Sequence, residues 1–197
     1  MILSKKSIIG MCKILGLRVK QGMSKENMLT LIKEHEEQKK IKLIASGKTI
    51  RYVFHTADWH IRCLDRHTEY TQVFEELYKT ISNFEHLDES VLVVCGDIFH
   101  NRDKLVPECI KLFDDIVVNL TKLLDVVMIL GNHDTFIHND RIDTISGIVD
   151  IKKYDNFYFL KNSGVYKYHN IDFVVSSLID NNFIRYSDTE RSDNIVI

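Results

Sequence analysis

Three clusters of polar residues, each at the end of a short apolar run, carry side chains that could bind metal ions. The clusters are Asp58-Trp59-His60 after residues 52–57, Gly96-Asp97 after residues 91–95, and Gly131-Asn132-His133-Asp134 after residues 126–130. In open α/β sheets, ligands bind at the carboxyl ends of the strands. If the apolar runs are neighbouring parallel strands, the three clusters meet at one edge of a sheet.

The residue types in these clusters indicate which ions would bind. Carboxylate, imidazole and amide ligands together favour Mn²⁺, Mg²⁺, Zn²⁺ or iron over thiolate-seeking ions. Asp58 and His60 are one residue apart, so on an extended segment they face the same side and could bind one ion. Asp97 is placed to bridge two ions, and Asn132 offers an amide oxygen to the second. Two ions ~3.5–4 Å apart bind a phosphoryl group and activate water, which leaves His133 to donate a proton or stabilise charge near the leaving group.

The segments that would position these clusters alternate between strands and helices. Apolar periodicity predicts strands over residues 50–57, 91–95 and 126–130, and helices over residues 68–84, 107–123 and about 141–149. Such alternation favours a parallel sheet with right-handed crossovers. Beyond residue 155 the sequence predicts short antiparallel strands over residues 157–160, 165–168 and 171–176. These strands would begin a second sheet that is incomplete at the end of the sequence.

Residues 1–45 are predicted to form a small helical unit, with a boundary at Ser46-Gly47-Lys48. Apolar spacing indicates two helices, and Ser24 is a candidate N-cap of the second. The order of helix, basic turn and helix resembles SAP-type nucleic-acid-binding motifs. Residues 1–48 hold eleven Lys and Arg against four Glu, a net charge of about +7, and the remainder carries about −9. This positive charge favours nucleic-acid binding, and a helical hairpin that only packs on the main domain is the open alternative.

The composition indicates the compartment in which the chain would work. The 197 residues are 45% hydrophobic and 27% charged, which is ordinary for a soluble globular protein. No apolar run approaches the ~18 residues that span a membrane, and the N-terminus lacks the apolar core of a signal peptide. The four cysteines are scattered, with no close pair in the sequence. These features predict an intracellular protein with reduced thiols that is not secreted and has no membrane partner.

The three clusters, in this order and ~35–40 residues apart, resemble the first three motifs of the calcineurin-like metallophosphoesterases. Protein phosphatases of that superfamily carry Gly-Asp-x-Val-Asp-Arg-Gly. This chain instead has Gly96-Asp97-Ile98-Phe99-His100, which is similar to DNA-repair nucleases of the SbcD/Mre type. Residues 57–62, 66–70 and 139–143 add similarity to phage recombination endonuclease subunits.

The resemblance covers about residues 51–180, the front half of that family's nuclease domain. It implies a metallophosphoesterase-type α/β/β/α sandwich within residues 50–197. It also implies phosphodiester hydrolysis in DNA repair or recombination that uses two divalent ions, Mn²⁺ or alternatively Mg²⁺. Matched to the family's motifs, the metal ligands are Asp58, His60, Asp97 and Asn132, with catalytic His133 and with His100 lining the site. The implied partners are DNA and a coiled-coil SMC-like ATPase of the SbcC type, and a homodimer is compatible with the resemblance.

The sequence departs from the family after Asp134. Two later motifs, a Gly-His and a Gly-His-x-His, supply further metal-binding histidines in the family, and nothing here matches them. We therefore expect little or no nuclease activity from these residues alone, and a partner or a longer product would supply the missing histidines. Two other function classes stay open. One is a catalytically deficient remnant that binds DNA or a partner, and the other is a phosphoesterase for small or protein substrates.

Overall fold

The chain folds into two sheets and a set of helices. The structure, a computed structural model, describes residues 3–15, 17–39, 41–102, 104–136, 143–148, 153–180, 183–185, 189 and 195–196. The α-helices in these ranges are α1 (Lys5–Ile14), α2 (Lys25–Lys39), α3 (His67–Ser82) and α4 (Pro107–Thr121). The strands are β1 (Ile41–Ala45), β2 (Tyr52–Thr56), β3 (Ser90–Cys95), β4 (Asp125–Ile129), β5 (Phe157–Phe159), β6 (Gly164–Tyr168), β7 (Ile171–Val175) and β8 (Ile195–Val196).

The first sheet is parallel throughout, with the strand order β2-β3-β4-β5. Strands β3 and β4 are valine-rich and almost completely buried, as expected for parallel strands that are covered on both faces. Helices α3 and α4 cover one face, where Phe74 and Phe113 share a core cluster with Leu92 and Met128. The predicted alternation of strands and helices is therefore confirmed. Because β2, β3 and β4 are parallel neighbours, their carboxyl ends meet at one edge of this sheet.

The assignment of residues 157–160 to an antiparallel second sheet is wrong. Strand β5 pairs in parallel with β4 and extends the first sheet. Its apolar pattern could not reveal this, because the direction of β5 is set by contacts distant in sequence. The Asn156 amide donates to the carbonyls of Thr121 and Leu124, at 2.7 and 3.1 Å, which fixes the start of β5 beside the end of α4. Residues 144–148 form turns, and residues 141, 142 and 149 of the short helix expected near 141–149 lie outside the described residues.

The second sheet covers the other face of the first and has the order β1-β6-β7-β8 in the described residues. Strands β6 and β7 form the predicted antiparallel hairpin, with its turn at His169-Asn170. Tyr166 and Phe173 pack against Val93 and Val127 of the first sheet. Helices on one side and a second sheet on the other confirm the predicted α/β fold class.

Residues 41–45, which the sequence placed with the N-terminal helical unit, are a strand of the second sheet. Strand β1 pairs in parallel with β6, and α2 lies near β6. The connection from β1 to β2 is fixed by the β6–β7 turn. The Asn170 side chain accepts a hydrogen bond from the Ile50 N–H at 2.6 Å and donates to the Ile50 carbonyl at 3.1 Å. This side chain therefore replaces a missing backbone partner for a buried residue.

Helices α1 and α2 form a hairpin with its own small core. Ile8, Cys12, Met28 and Ile32 are buried together in a cluster separate from those of the two sheets. The Ser24 hydroxyl accepts the Asn27 N–H at 3.1 Å, so the predicted N-cap is confirmed. Among the hairpin side chains that the structure describes, the exposed cations are Lys5, Lys6, Lys13, Arg18, Lys20 and Lys33. None of the helices in the described ranges is long and apolar enough to cross a membrane.

Candidate metal centre

The loops that follow β2 and β3 stay paired beyond the ends of the strands. The Asp58 N–H donates to the Gly96 carbonyl at 3.2 Å, and the His60 N–H donates to the Asp97 carbonyl at 2.9 Å. Asp58, His60 and Asp97 have φ angles of 55°, 46° and 53°, in the left-handed region. The expectation that Asp58 and His60 share a face of an extended segment is therefore wrong. Sharp turns bring them together instead, with 3.5 Å between Asp58 Oδ1 and His60 Nε2.

The Asp134 carboxylate joins the loops after β3 and β4. Its Oδ2 accepts the N–H groups of Asp97 and Gly131, at 2.7 and 2.9 Å, and its Oδ1 accepts the Ile98 N–H at 3.0 Å. The side chain is fully buried, and burial raises its pKa while the backbone donors act in the opposite direction. Sequence reasoning gave Asp134 no role. The available signal was its position as the last residue of the Gly-Asn-His-Asp cluster.

The same two loops approach so closely that only glycine fits at the contact. Gly96 has a φ of 73°, and a Cβ placed there would lie 2.5 Å from the Gly131 Cα. A Cβ at Gly131 would collide with the backbone nitrogen and carboxylate of Asp97. The two glycines thus allow the Asp97 carboxylate to sit against the turn that carries His133, whose N–H donates to Asp97 Oδ1 at 2.7 Å.

His60, Asp97 and His133 form a cluster that could hold a metal ion. Each offers one ligand atom, and these atoms all lie within 4.8 Å of one another. The rings of His60 and His133 are 4.7 Å apart at 88°. One carboxylate and two imidazoles suit a divalent transition-metal ion. His60 Nδ1 is buried and has no hydrogen-bond partner among the described residues, so a bound ion could satisfy a nitrogen that the protein leaves unpaired.

The contact between His133 and His100 fixes the His133 tautomer. His133 Nδ1 lies 3.1 Å from the His100 carbonyl. Because a carbonyl oxygen can only accept, Nδ1 carries the proton and Nε2 is free to bind a metal ion. The His100 ring is exposed and stacks near His133 at 6.0 Å. Partial desolvation, followed by the charges of Arg62, His60 and His133, lowers the pKa of His100.

The structure brings together some of the residues singled out in the sequence. His60 and Asp97, predicted as ligands, lie in the cluster, and so does His133, which was predicted as catalytic. Asp58 contacts His60 but its side chain is 71% exposed. Asn132 is exposed beside His133. The individual ligand and catalytic roles stay predictions. Residues 139–142 of the motif at 139–143 lie outside the described residues.

A further positioning contact was not anticipated from the sequence. The Tyr70 hydroxyl donates to the His60 carbonyl at 2.6 Å, so α3 holds the loop that follows β2. Trp59, between Asp58 and His60, is buried against Phe74 of the same helix. No pattern in the sequence pointed to the contact of Tyr70.

Residues 52–195 match the model of the calcineurin-like phosphoesterase family. The chain therefore belongs to this family, and its two-sheet α/β fold is consistent with that membership. The family implies metal-dependent hydrolysis of phosphoesters with divalent ions, which agrees with the ligand types of the His60, Asp97 and His133 cluster.

One curated relative is an uncharacterized protein of Acanthamoeba polyphaga mimivirus. It is 35% identical over 147 residues, which cover 73% of this chain and 11% of the relative. The chain thus spans only a small part of the length of that relative.

Replacing Gly131 with Ala should disrupt the centre. The added methyl group collides with Asp97, and overpacking of this kind costs about 1–3 kcal/mol. We expect a lower free energy of unfolding in urea and weaker Mn²⁺ binding by calorimetry. Gly147→Ala is the control, because a Cβ there meets nothing within 4 Å. Unchanged stability and Mn²⁺ binding in Gly131→Ala would contradict the close contact between the loops.

Replacing Asp97 with Asn should weaken Mn²⁺ binding at least about tenfold, the lower end of the losses seen around metal sites. The amide can still accept the His133 N–H, so the charge is the main change. Asp125→Asn is the matched control, because Asp125 is as buried as Asp97, at 9% exposure, and lies at the amino end of β4. Calorimetry should show loss of affinity in Asp97→Asn alone. Equal affinity in both variants would exclude Asp97 as a ligand.

Proposed function

We propose that the chain is a metal-dependent DNA phosphodiesterase of the double-strand-break repair and recombination type. The observation that carries the proposal is the convergence of His60, Asp97 and His133 within 4.8 Å at the carboxyl edge of the parallel sheet. The choice of a nuclease over a protein phosphatase is supported by the sequence Gly96-Asp97-Ile98-Phe99-His100.

The proposed centre holds two divalent ions, Mn²⁺ or alternatively Mg²⁺. Asp58 and His60 would bind the first, Asn132 the second, and Asp97 would bridge them. Such ions supply positive charge to the phosphoryl oxygens and a water nucleophile. Because His133 Nδ1 is held by the His100 carbonyl, Nε2 is the ring atom that can face the phosphate. It can bind a metal ion when the ring is neutral, or donate a hydrogen bond when the ring is protonated at both nitrogens. The pKa of His100 is lowered by desolvation and by the charges of Arg62, His60 and His133, which favours the neutral form of its ring.

The distribution of charge supports DNA as the substrate. The α1–α2 hairpin exposes several cations, whereas the residues after Lys48 carry a net charge of about −9. Neutralisation of phosphates by Lys and Arg is the part of DNA affinity that does not depend on sequence. A hairpin with its own core could present these cations without contributing to the main domain. A coiled-coil SMC-like ATPase is the proposed protein partner, by resemblance to the repair nucleases.

The substrate class can be tested with Mn²⁺ and three substrates: end-labelled linear DNA, a phosphodiester and a phosphomonoester of p-nitrophenol. We expect slow turnover, since only Asp97 and Asn132 are proposed for the second ion, with the diester and DNA preferred over the monoester. His133→Ala should lower the rate about 100-fold or more, whereas His86→Ala, an exposed histidine remote from the centre, should not.

Preference for the monoester would contradict the nuclease proposal and favour a phosphatase. DNA binding and Mn²⁺ binding without any turnover would instead favour the catalytically deficient form.

The α1–α2 hairpin can be tested by replacing Lys5, Lys6, Lys13, Arg18 and Lys20 with Gln. Substitution is preferable to deleting residues 1–45, because deletion would remove β1. We expect weaker DNA binding and a log–log salt dependence that is flatter by about 0.9 for each duplex phosphate that the variant no longer neutralises. The control replaces Lys79 and Lys111, which are exposed on α3 and α4, with Gln. If the variant binds DNA with the affinity and salt dependence of the unmodified chain, the result supports the alternative in which the hairpin only packs on the main domain.

A further inference from the structure

A groove lies between the end of strand β2 and helix α3. It is lined by residues 56–59 and by one face of α3 with its N-cap, from Arg66 to Leu77. The volume of the groove is about 470 Å³, which is within the range of pockets that hold small molecules. The groove is therefore large enough to take one ring system of a ligand.

Much of the lining is apolar, and its deepest part is held in place. Trp59 and Phe74 are only 8% and 5% exposed, and their rings meet at 4.9 Å and 75°. The Trp59 Nε1–H also donates to Thr56 Oγ1 at 2.9 Å. Val73 and Leu77, one turn apart on α3, extend the apolar lining, and Val73 is 65% exposed. Apolar side chains left exposed together in a groove indicate a surface that a ligand covers.

The polar side chains of the groove indicate that its ligand is uncharged. Arg66 and Glu69 form an ion pair, in which Arg66 Nε donates to Glu69 Oε2 at 2.7 Å. The pair is neutral as a whole, and the remaining charged residue of the lining is the carboxylate of Asp58. A second phosphate would gain nothing from this set of charges. The lining instead suits a neutral group with apolar faces and a polar edge.

The groove adjoins the candidate metal centre through two of its residues. Asp58 lines the groove, and its Oδ1 lies 3.5 Å from His60 Nε2. Tyr70 also lines the groove, and its hydroxyl donates to the His60 carbonyl at 2.6 Å. A phosphate bound at the metal centre would therefore have one of its substituents beside the groove.

We propose that this groove binds a nucleobase of the DNA strand, on a nucleotide that adjoins the phosphate at the metal centre. The inference rests on the proposed function, which supplies a phosphodiester with a nucleoside on either side. The faces of the base contact the apolar lining at Trp59 and Val73, and its polar edge meets the Arg66–Glu69 ion pair. Recognition through the faces of a base tolerates any sequence, because every base has a π-face.

Two probes that differ only in the base test the groove in the presence of Mg²⁺. Thymidine 5′-monophosphate and deoxyribose 5-phosphate share the phosphate and the sugar, and calorimetry gives the affinity of each. We expect the thymidine compound to bind about tenfold more tightly, which corresponds to burial of on the order of 60 Å² of apolar surface. Trp59 is the single tryptophan of the chain and lines the groove, so only the probe that carries the base should change the tryptophan emission.

A substitution at Val73 tests the location of the bound base. Val73→Glu places a charge in the apolar lining and should remove the preference for the thymidine compound. Because Val73 is exposed, the variant should fold. The matched control is Gln72→Glu, which adds the same charge at a neighbouring exposed position of α3 outside the groove. Comparing the two probes within each variant cancels the effect of the new charge on the phosphate.

Equal affinity for the two probes, including no measurable binding of either, would overturn the base site. So would a preference for the base that Val73→Glu retains, or one that leaves the Trp59 emission unchanged. Digestion of linear DNA separates this failure from that of the proposed function. A chain that cleaves DNA without preferring the base lacks only the base site. A chain that binds thymidine monophosphate in the groove but prefers phosphomonoesters to DNA contradicts the nuclease and retains a nucleotide site.

Discussion

The metal centre depends on one close approach, between the turn after β3 and the turn after β4. The turns touch at Gly96 and Gly131, where no side chain fits, and the buried Asp134 carboxylate binds backbone N–H groups of both. Removing such a carboxylate from water is costly, and three backbone donors offset that cost. The result is a frame in which hydrogen bonds to the backbone N–H groups of Asp97 and His133 place these two residues.

Around this frame, each further element fixes one part of the centre. Pairing of the β2 loop with the β3 loop positions Asp58 and His60 through hydrogen bonds to Gly96 and Asp97. Helix α3 adds the Tyr70 hydroxyl on the His60 carbonyl, and the His100 carbonyl orients the His133 ring. A metal ion bound at this cluster would meet residues that hydrogen bonds already position, and such supporting contacts strengthen metal binding.

The sequence predicted the features that follow from local pattern. Apolar periodicity predicted the buried strands β3 and β4 and the helices α3 and α4. The parallel topology that this alternation implies predicted that the polar residues after the strands converge. Features set by distant contacts could not be found. Strand β5 was assigned to the wrong sheet, and β1 was read as part of a helical unit. Left-handed turns at Asp58 and His60 were also missed, because residues other than glycine rarely adopt them.

The claim on which the proposed function depends is that a divalent ion binds between His60, Asp97 and His133. Diffraction from crystals soaked in Mn²⁺, recorded at the manganese absorption edge, tests it most directly. The structure predicts the strongest anomalous peak among His133 Nε2, the Asp97 carboxylate and the His60 ring, with no peak at the equally buried Asp125. A principal peak elsewhere on the chain would contradict it. So would the absence of a peak at the His60, Asp97 and His133 cluster in crystals of a protein that calorimetry shows to be saturated with Mn²⁺.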